Sequence, residues 1–115
     1  MENVNLTAVR GDSFIKTLTF TDSSGNAIDI TGWKVYFTIK EDESDSDDDA
    51  LIKKDITSHS DPTNGKTNIE VEATDTNSLL GVYYYDIQVK KGSGEIFTVM
   101  KGKITFKADI TRRVS

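Results

Sequence analysis

Residues 79–90 read Leu79-Leu80-Gly81-Val82-Tyr83-Tyr84-Tyr85-Asp86-Ile87-Gln88-Val89-Lys90. In an extended chain successive side chains point to opposite faces, so Tyr83, Tyr85, Ile87 and Val89 share one face and Val82, Tyr84, Asp86 and Gln88 the other. One face is apolar and the other mixed, the pattern of a strand half buried in a sheet. A second run, Trp33-Lys34-Val35-Tyr36-Phe37-Thr38-Ile39-Lys40, alternates as cleanly, with Trp33, Val35, Phe37 and Ile39 inward. Weaker strands are expected from Phe14 to Phe20, with Lys16 near a sheet edge where its amine reaches water, and over Thr67 to Ala73. Ala50 to Thr57 is expected to form another, with Leu51 in reach of the core. A hairpin turn at Lys91-Gly92-Ser93-Gly94 leads back through Ile96 to Met100, and Ile104, Phe106 and Ala108 continue toward the end. Only the stretch from Thr74 to Leu80 has room for a helical turn. About seven or eight strands spaced by roughly 10 residues predict an all-β chain, a sandwich or barrel.

With 115 residues the chain has material for one domain with one core, expected to span residues 1–115. It has no cysteine and a single histidine. Disulfides, thiolate metal sites and cysteine nucleophiles are therefore excluded, and one His cannot assemble a zinc site. No apolar run approaches the ~20 residues of a membrane helix, and the residues after Met1 lack a basic start and apolar core, so no signal peptide or membrane insertion is expected. Of the 19 acids, seven lie between Glu41 and Asp49, which leaves 12 against 14 Lys and Arg elsewhere. Adjacent carboxylates repel and resist burial, so residues 41–49 read as a solvated loop. Nucleic-acid binding is disfavoured by the net charge of −5 and by basic residues that never cluster beyond pairs.

Each chemical motif has a plainer reading beside it. His59 with Ser58, Ser60 and Asp61 has the residue types of a hydrolytic triad, but sequence neighbours rarely supply that geometry, and a solvated loop histidine is expected. Asp45, Asp47 and Asp49 have the spacing of calcium ligands. Ala50 and Ile56 stand where that loop needs its glycine and bidentate glutamate, so no specific metal site is expected. Arg10-Gly11-Asp12 matches an integrin-binding tripeptide but suits the turn between the first two strands. Asn5-Leu6-Thr7 is a glycosylation acceptor by pattern alone. Asp29-Ile30-Thr31-Gly32 reads as a corner in which the carboxylate bonds amides two and three residues on. The other Asp-Ile-Thr triplets, at Asp55 and Asp109, read as strand ends. No catalytic or cofactor-binding residue is assigned. The outward Tyr36 and Tyr84, with Val82 beside them, suit protein or carbohydrate contact, or ordinary cross-strand pairing.

The run Leu79-x-Gly81-x-Tyr83-x-Tyr85 is similar to the approach to a late strand in immunoglobulin-like sandwiches, where a tyrosine hydroxyl bonds back to the corner. Tyr85 then holds the position of a disulfide cysteine in antibody domains, and Tyr85 and Trp33 are expected to fill the core in its place. Further features follow in order: Arg10 to Phe14 opening a strand, Asp22 to Gly25, the Asp29 corner, the acidic segment running into Ala50 to Lys54, and Asp109-Ile110-Thr111-Arg112. Together they resemble the small immunoglobulin-like virion proteins of tailed phages and prophages. The Asp29 corner and the strand after it are similar to the N-terminal domain of phage baseplate upper proteins. The resemblance implies an immunoglobulin-like antiparallel β-sandwich, a non-enzymatic structural component of a tail, baseplate or head surface. It would be made in the host cytoplasm and located in the virion, with other virion proteins or copies of itself as partners. Baseplate upper proteins usually continue into further domains, whereas this sequence runs to Ser115. A carbohydrate-binding sandwich contacting a host surface glycan is the alternative.

Overall fold

The computed structural model describes residues 2–42, 44, 46 and 50–108. It is an all-β sandwich. The larger sheet runs in the order β1 (Glu2–Asn3), β8 (Ile96–Lys107), β7 (Gly81–Lys90), β4 (Lys34–Lys40) and β5 (Ile52–Ile56), with β2 (Leu6–Val9) also on β8. The smaller sheet pairs β3 (Phe14–Thr19) with β6 (Lys66–Val71). A four-strand face of β8, β7, β4 and β5 over a β3–β6 pair is the immunoglobulin-like arrangement. Pairing is antiparallel except where β1 and β2 run parallel to β8. That departs from an all-antiparallel sandwich because the chain zips along β8 before the turn at Arg10 to Asp12 carries it to the opposite sheet.

The alternating residues meet between the sheets. Val35, Phe37 and Ile39 on β4, Tyr85, Ile87 and Val89 on β7, Ile104 and Phe106 on β8, and Leu18, Ile69 and Val71 on the smaller sheet are buried together. The Tyr85 ring lies 6.1 Å from that of Phe37. Tyr85 thus fills the core as expected. Trp33 does not reach its centre: it precedes β4, is half-buried at one end of the sandwich, and leaves the central place to Phe37.

Local chemistry makes the corners. The Tyr83 hydroxyl donates to the Leu80 carbonyl and accepts from the Leu80 amide, each at 3.1 Å, which is the anticipated tyrosine corner. The Asp29 carboxylate accepts from the Thr31 amide at 2.9 Å and the Thr31 hydroxyl at 2.6 Å, and these bonds, the hydroxyl first, hold it below the usual carboxylate range. The following Gly32 takes a φ of 83° that side chains oppose. Between β6 and β7, α1 (Ala73–Thr76) is a single turn fixed by a reciprocal capping box between Glu72 and Asp75. Asp75 also takes the Lys54 ammonium at 2.8 Å, so an ion pair links β5 of the larger sheet to the connection that follows β6.

Two expectations about β5 and β3 are resolved by register. Ile39 pairs with Ile52, so Ile52 is buried and Leu51, 43% exposed, faces away from the core. The Leu51 amide donates to the Ile39 carbonyl at 2.8 Å, and the strand starts at Ile52, two positions later than the expected Ala50. β3 pairs only with β6, which confirms Lys16 on an edge strand. Asp109 and most of the acidic segment lie outside the described residues, including Asp45, Asp47 and Asp49.

Candidate functional surfaces

The outer face of the larger sheet is a grid set by pairing. Across β4, β7 and β8, Lys40 faces Tyr84 and Tyr84 faces Lys103; the next row is Thr38, Asp86 and Lys101, then Tyr36, Gln88 and Thr98, then Lys34, Lys90 and Ile96. Tyr36 and Tyr84 are thus four residues apart, roughly 13 Å along the strands. They do not form one aromatic platform. Both are half-buried, and Val82 beyond them is exposed. Lys53 extends the second row on β5.

At the upper rows the N-terminal strand kinks. Val4 donates its amide to the Lys101 carbonyl at 2.9 Å and accepts at its own carbonyl from the Tyr85 hydroxyl at 2.6 Å. The Asn5 side-chain oxygen accepts from the Lys103 amide at 3.2 Å, standing in for a ladder bond. Gly102 makes the kink possible, because a Cβ there would collide with the Val4 carbonyl oxygen. Between the kink and Tyr84 lies a groove of about 360 Å³ lined by Asn3, Asn5, Thr38, Asp86 and the lysines 40, 101 and 103.

The opposite end carries an aromatic group that the sequence reading missed. The Trp33 ring stands edge-on to Phe20 at 5.8 Å and to Phe97 at 6.4 Å. The Lys91 ammonium sits 5.6 Å from the Trp33 ring centre and 5.3 Å from that of Phe97, within cation–π range. Phe97 is 39% exposed, and neighbouring Ile96 at the hairpin is 59% exposed. A β-bulge puts Phe97 there. Ile87 pairs with Met100 but Gln88 with Thr98, so Val99 is the extra residue and Phe97 falls opposite Val89, on the core-facing side. Plain alternation back from Met100 would turn Phe97 outward, and nothing in residues 96–100 signals the bulge.

His59 is not a solvated loop residue. It is half-buried, with Nε2 2.7 Å from the Trp33 carbonyl and Nδ1 2.9 Å from the Thr67 hydroxyl. A carbonyl only accepts, so Nε2 carries a proton and donates to Trp33, while Nδ1 is bonded to the hydroxyl of Thr67, which is fully buried. Neither Ser58, Ser60 nor Asp61 is bonded to it; the ring instead pins the backbone of Trp33. The Arg10-Gly11-Asp12 triplet forms the expected turn, with Gly11 at a φ of 84° and the Asp12 amide on the Val9 carbonyl. Its Gly11 amide and Asp12 carbonyl are both bonded by the buried Thr76 hydroxyl, at 3.0 and 2.9 Å. Asn5 and Thr7 are exposed. Among the described residues, no group of His, Asp or Glu is placed to hold a metal ion, and no helix is long and apolar enough to cross a membrane.

No family model matches the chain, and no curated protein matches it.

Proposed function

We infer that the protein is a non-enzymatic structural module of a tailed-phage or prophage particle, docking to other particle proteins or to its own copies. The ordered sequence features resembling small virion proteins support the setting. The observation that carries docking is the Phe20–Trp33–Phe97 group with Lys91 over its rings. Tryptophan and large apolar side chains next to a cation are the residue types that anchor protein interfaces. Here Phe97 is placed by a bulge, and the Trp33 backbone is held by the His59 bond. A partner suited to this end presents an apolar side chain flanked by a carboxylate for Lys91.

The test is the mass of the purified protein by light scattering across a concentration series, with Phe97→Glu as the comparison. A discrete oligomer that Phe97→Glu reduces to monomer supports docking through this end. If the wild type stays monomeric, self-assembly is removed, and capture of purified particle proteins by the wild type but not by Phe97→Glu decides heterologous docking. Equal capture by both would refute it.

A further inference from the structure

We propose that the groove between Tyr84 and the Val4–Asn5 kink binds an acidic saccharide, with Lys101 and Lys103 pairing its carboxylate and Tyr84 lying against its ring. Three observations converge. The first is size: about 360 Å³ falls within the roughly 300–1,000 Å³ range of small-ligand sites and suits one or two sugar units.

The second is chemistry. Register puts Lys40 and Lys103 on either side of Tyr84, with Lys101 two residues from Lys103, so three ammonium groups border a groove in which Asp86 is the one carboxylate among the described residues. The surplus of positive charge selects an anion. Yet the remaining lining is not that of a simple phosphate patch. Thr38, Asn3 and Asn5 supply hydroxyl and amide groups, which bond the several hydroxyls of a sugar. With the Asn5 oxygen committed to the Lys103 amide, its amide nitrogen is left as a donor. A half-buried tyrosine offers an apolar ring for sugar C–H groups, a role a free inorganic anion does not use. Asp86 also disfavours a doubly charged phosphate more than a singly charged carboxylate.

The third is preorganisation. Bonds from Val4, Asn5 and Tyr85 fix the kink that forms one wall, and the missing Cβ of Gly102 lets that wall close down on β8. The backbone of that wall therefore needs little ordering when a ligand arrives. The inference holds wherever the protein works. It concerns a different surface from the aromatic end, so either can fail without the other.

The experiment is a titration of the isotope-labelled protein with trigalacturonate, followed by amide chemical shifts, with maltotriose and inorganic phosphate as controls. Saturable shifts are expected at Asn5, Tyr84, Asp86 and Lys103. Lys103→Glu, at an exposed position, is expected to weaken binding about tenfold or more, and maltotriose to bind weaker by a similar factor. Tyr84→Ala is expected to weaken it too, with thermal melting confirming that each variant folds. The proposal is overturned by the absence of saturable shifts up to about 10 mM trigalacturonate, by undiminished binding to Lys103→Glu, or by phosphate producing the same shifts at equal or lower concentration.

Discussion

Replacing Tyr85 by Phe removes one oxygen at the N-terminal kink and leaves the ring. The ring stays packed on Phe37, so the burial contribution is unchanged and the change is made at the hydroxyl that holds the Val4 carbonyl at 2.6 Å. A neutral hydrogen bond contributes about 0.5–1.5 kcal/mol net, and an acceptor left without a partner costs about 1–3 kcal/mol. Val4 sits near the chain start and is half-buried, so water reaches its carbonyl once the kink loosens, and a loss of about 1–2 kcal/mol is expected. For a domain of this length that lowers the melting temperature by roughly 4–8 °C. The local signature is sharper than the global one. The Val4 amide, bonded to the Lys101 carbonyl, should exchange its hydrogen faster in Tyr85→Phe, while the Ile87 and Val89 amides should speed up only by as much as global stability falls. Gly102→Ala, which drives the Val4 carbonyl outward, should reproduce that signature. Denaturant unfolding together with hydrogen exchange reads both. A change below about 0.3 kcal/mol with unaltered exchange at Val4 would refute the role of Tyr85 as the tie between β7 and the N-terminal strand.

Thr76→Val keeps the shape of a fully buried side chain but strips the Gly11 amide and Asp12 carbonyl of their partner, and should cost about 2–3 kcal/mol by urea unfolding. His59→Ala should cost about 1–3 kcal/mol by leaving the buried Thr67 hydroxyl unbonded, and should shift the Trp33 emission because the Trp33 backbone loses its anchor. Asp75 is held below the usual carboxylate range chiefly by the hydrogen bond from Lys54, and also by the Glu72 amide. A depressed folded value adds stability that is complete above the unfolded value near 3.9 and disappears as pH falls through the folded one. Unfolding curves of Asp75→Asn should therefore depend less on pH below about 4 than those of the wild type. Deleting Asp42 to Asp49 should leave the strand pairing intact, with circular dichroism unchanged and stability within about 1 kcal/mol, because the β4–β5 ladder closes at Ile39 and Leu51. Unfolding of that deletion would show that the acidic segment contributes to the core.

Where one face is buried, alternation specifies register, and the two cleanest runs in the sequence became the two central strands β4 and β7. The tyrosine corner and the Asp29 turn were legible for a different reason: their bonds reach only two or three residues along the chain. Long-range partners were not legible. Leu51 and Ile52 are both apolar, so hydropathy could not choose between them, and the choice was made by Ile39 across the hairpin. Phe97 was hidden by a bulge that depends on β7. His59 bonds groups 8 and 26 residues away, and nothing beside it in the sequence points to either. The groove was half legible: Tyr84 was singled out as outward and aromatic, but its lysine neighbours come from two other strands and its wall from a kink seated on Gly102.

Trp33 is the only tryptophan and belongs to the end assigned to docking, so its fluorescence tests the central claim most directly. Emission and acrylamide quenching would be recorded alongside light scattering, over a concentration series and on adding purified particle proteins. Docking through this end predicts that Trp33 emission moves to the blue and quenching falls as the complex forms. Assembly that leaves both unchanged, or no complex under any of these conditions, would contradict it.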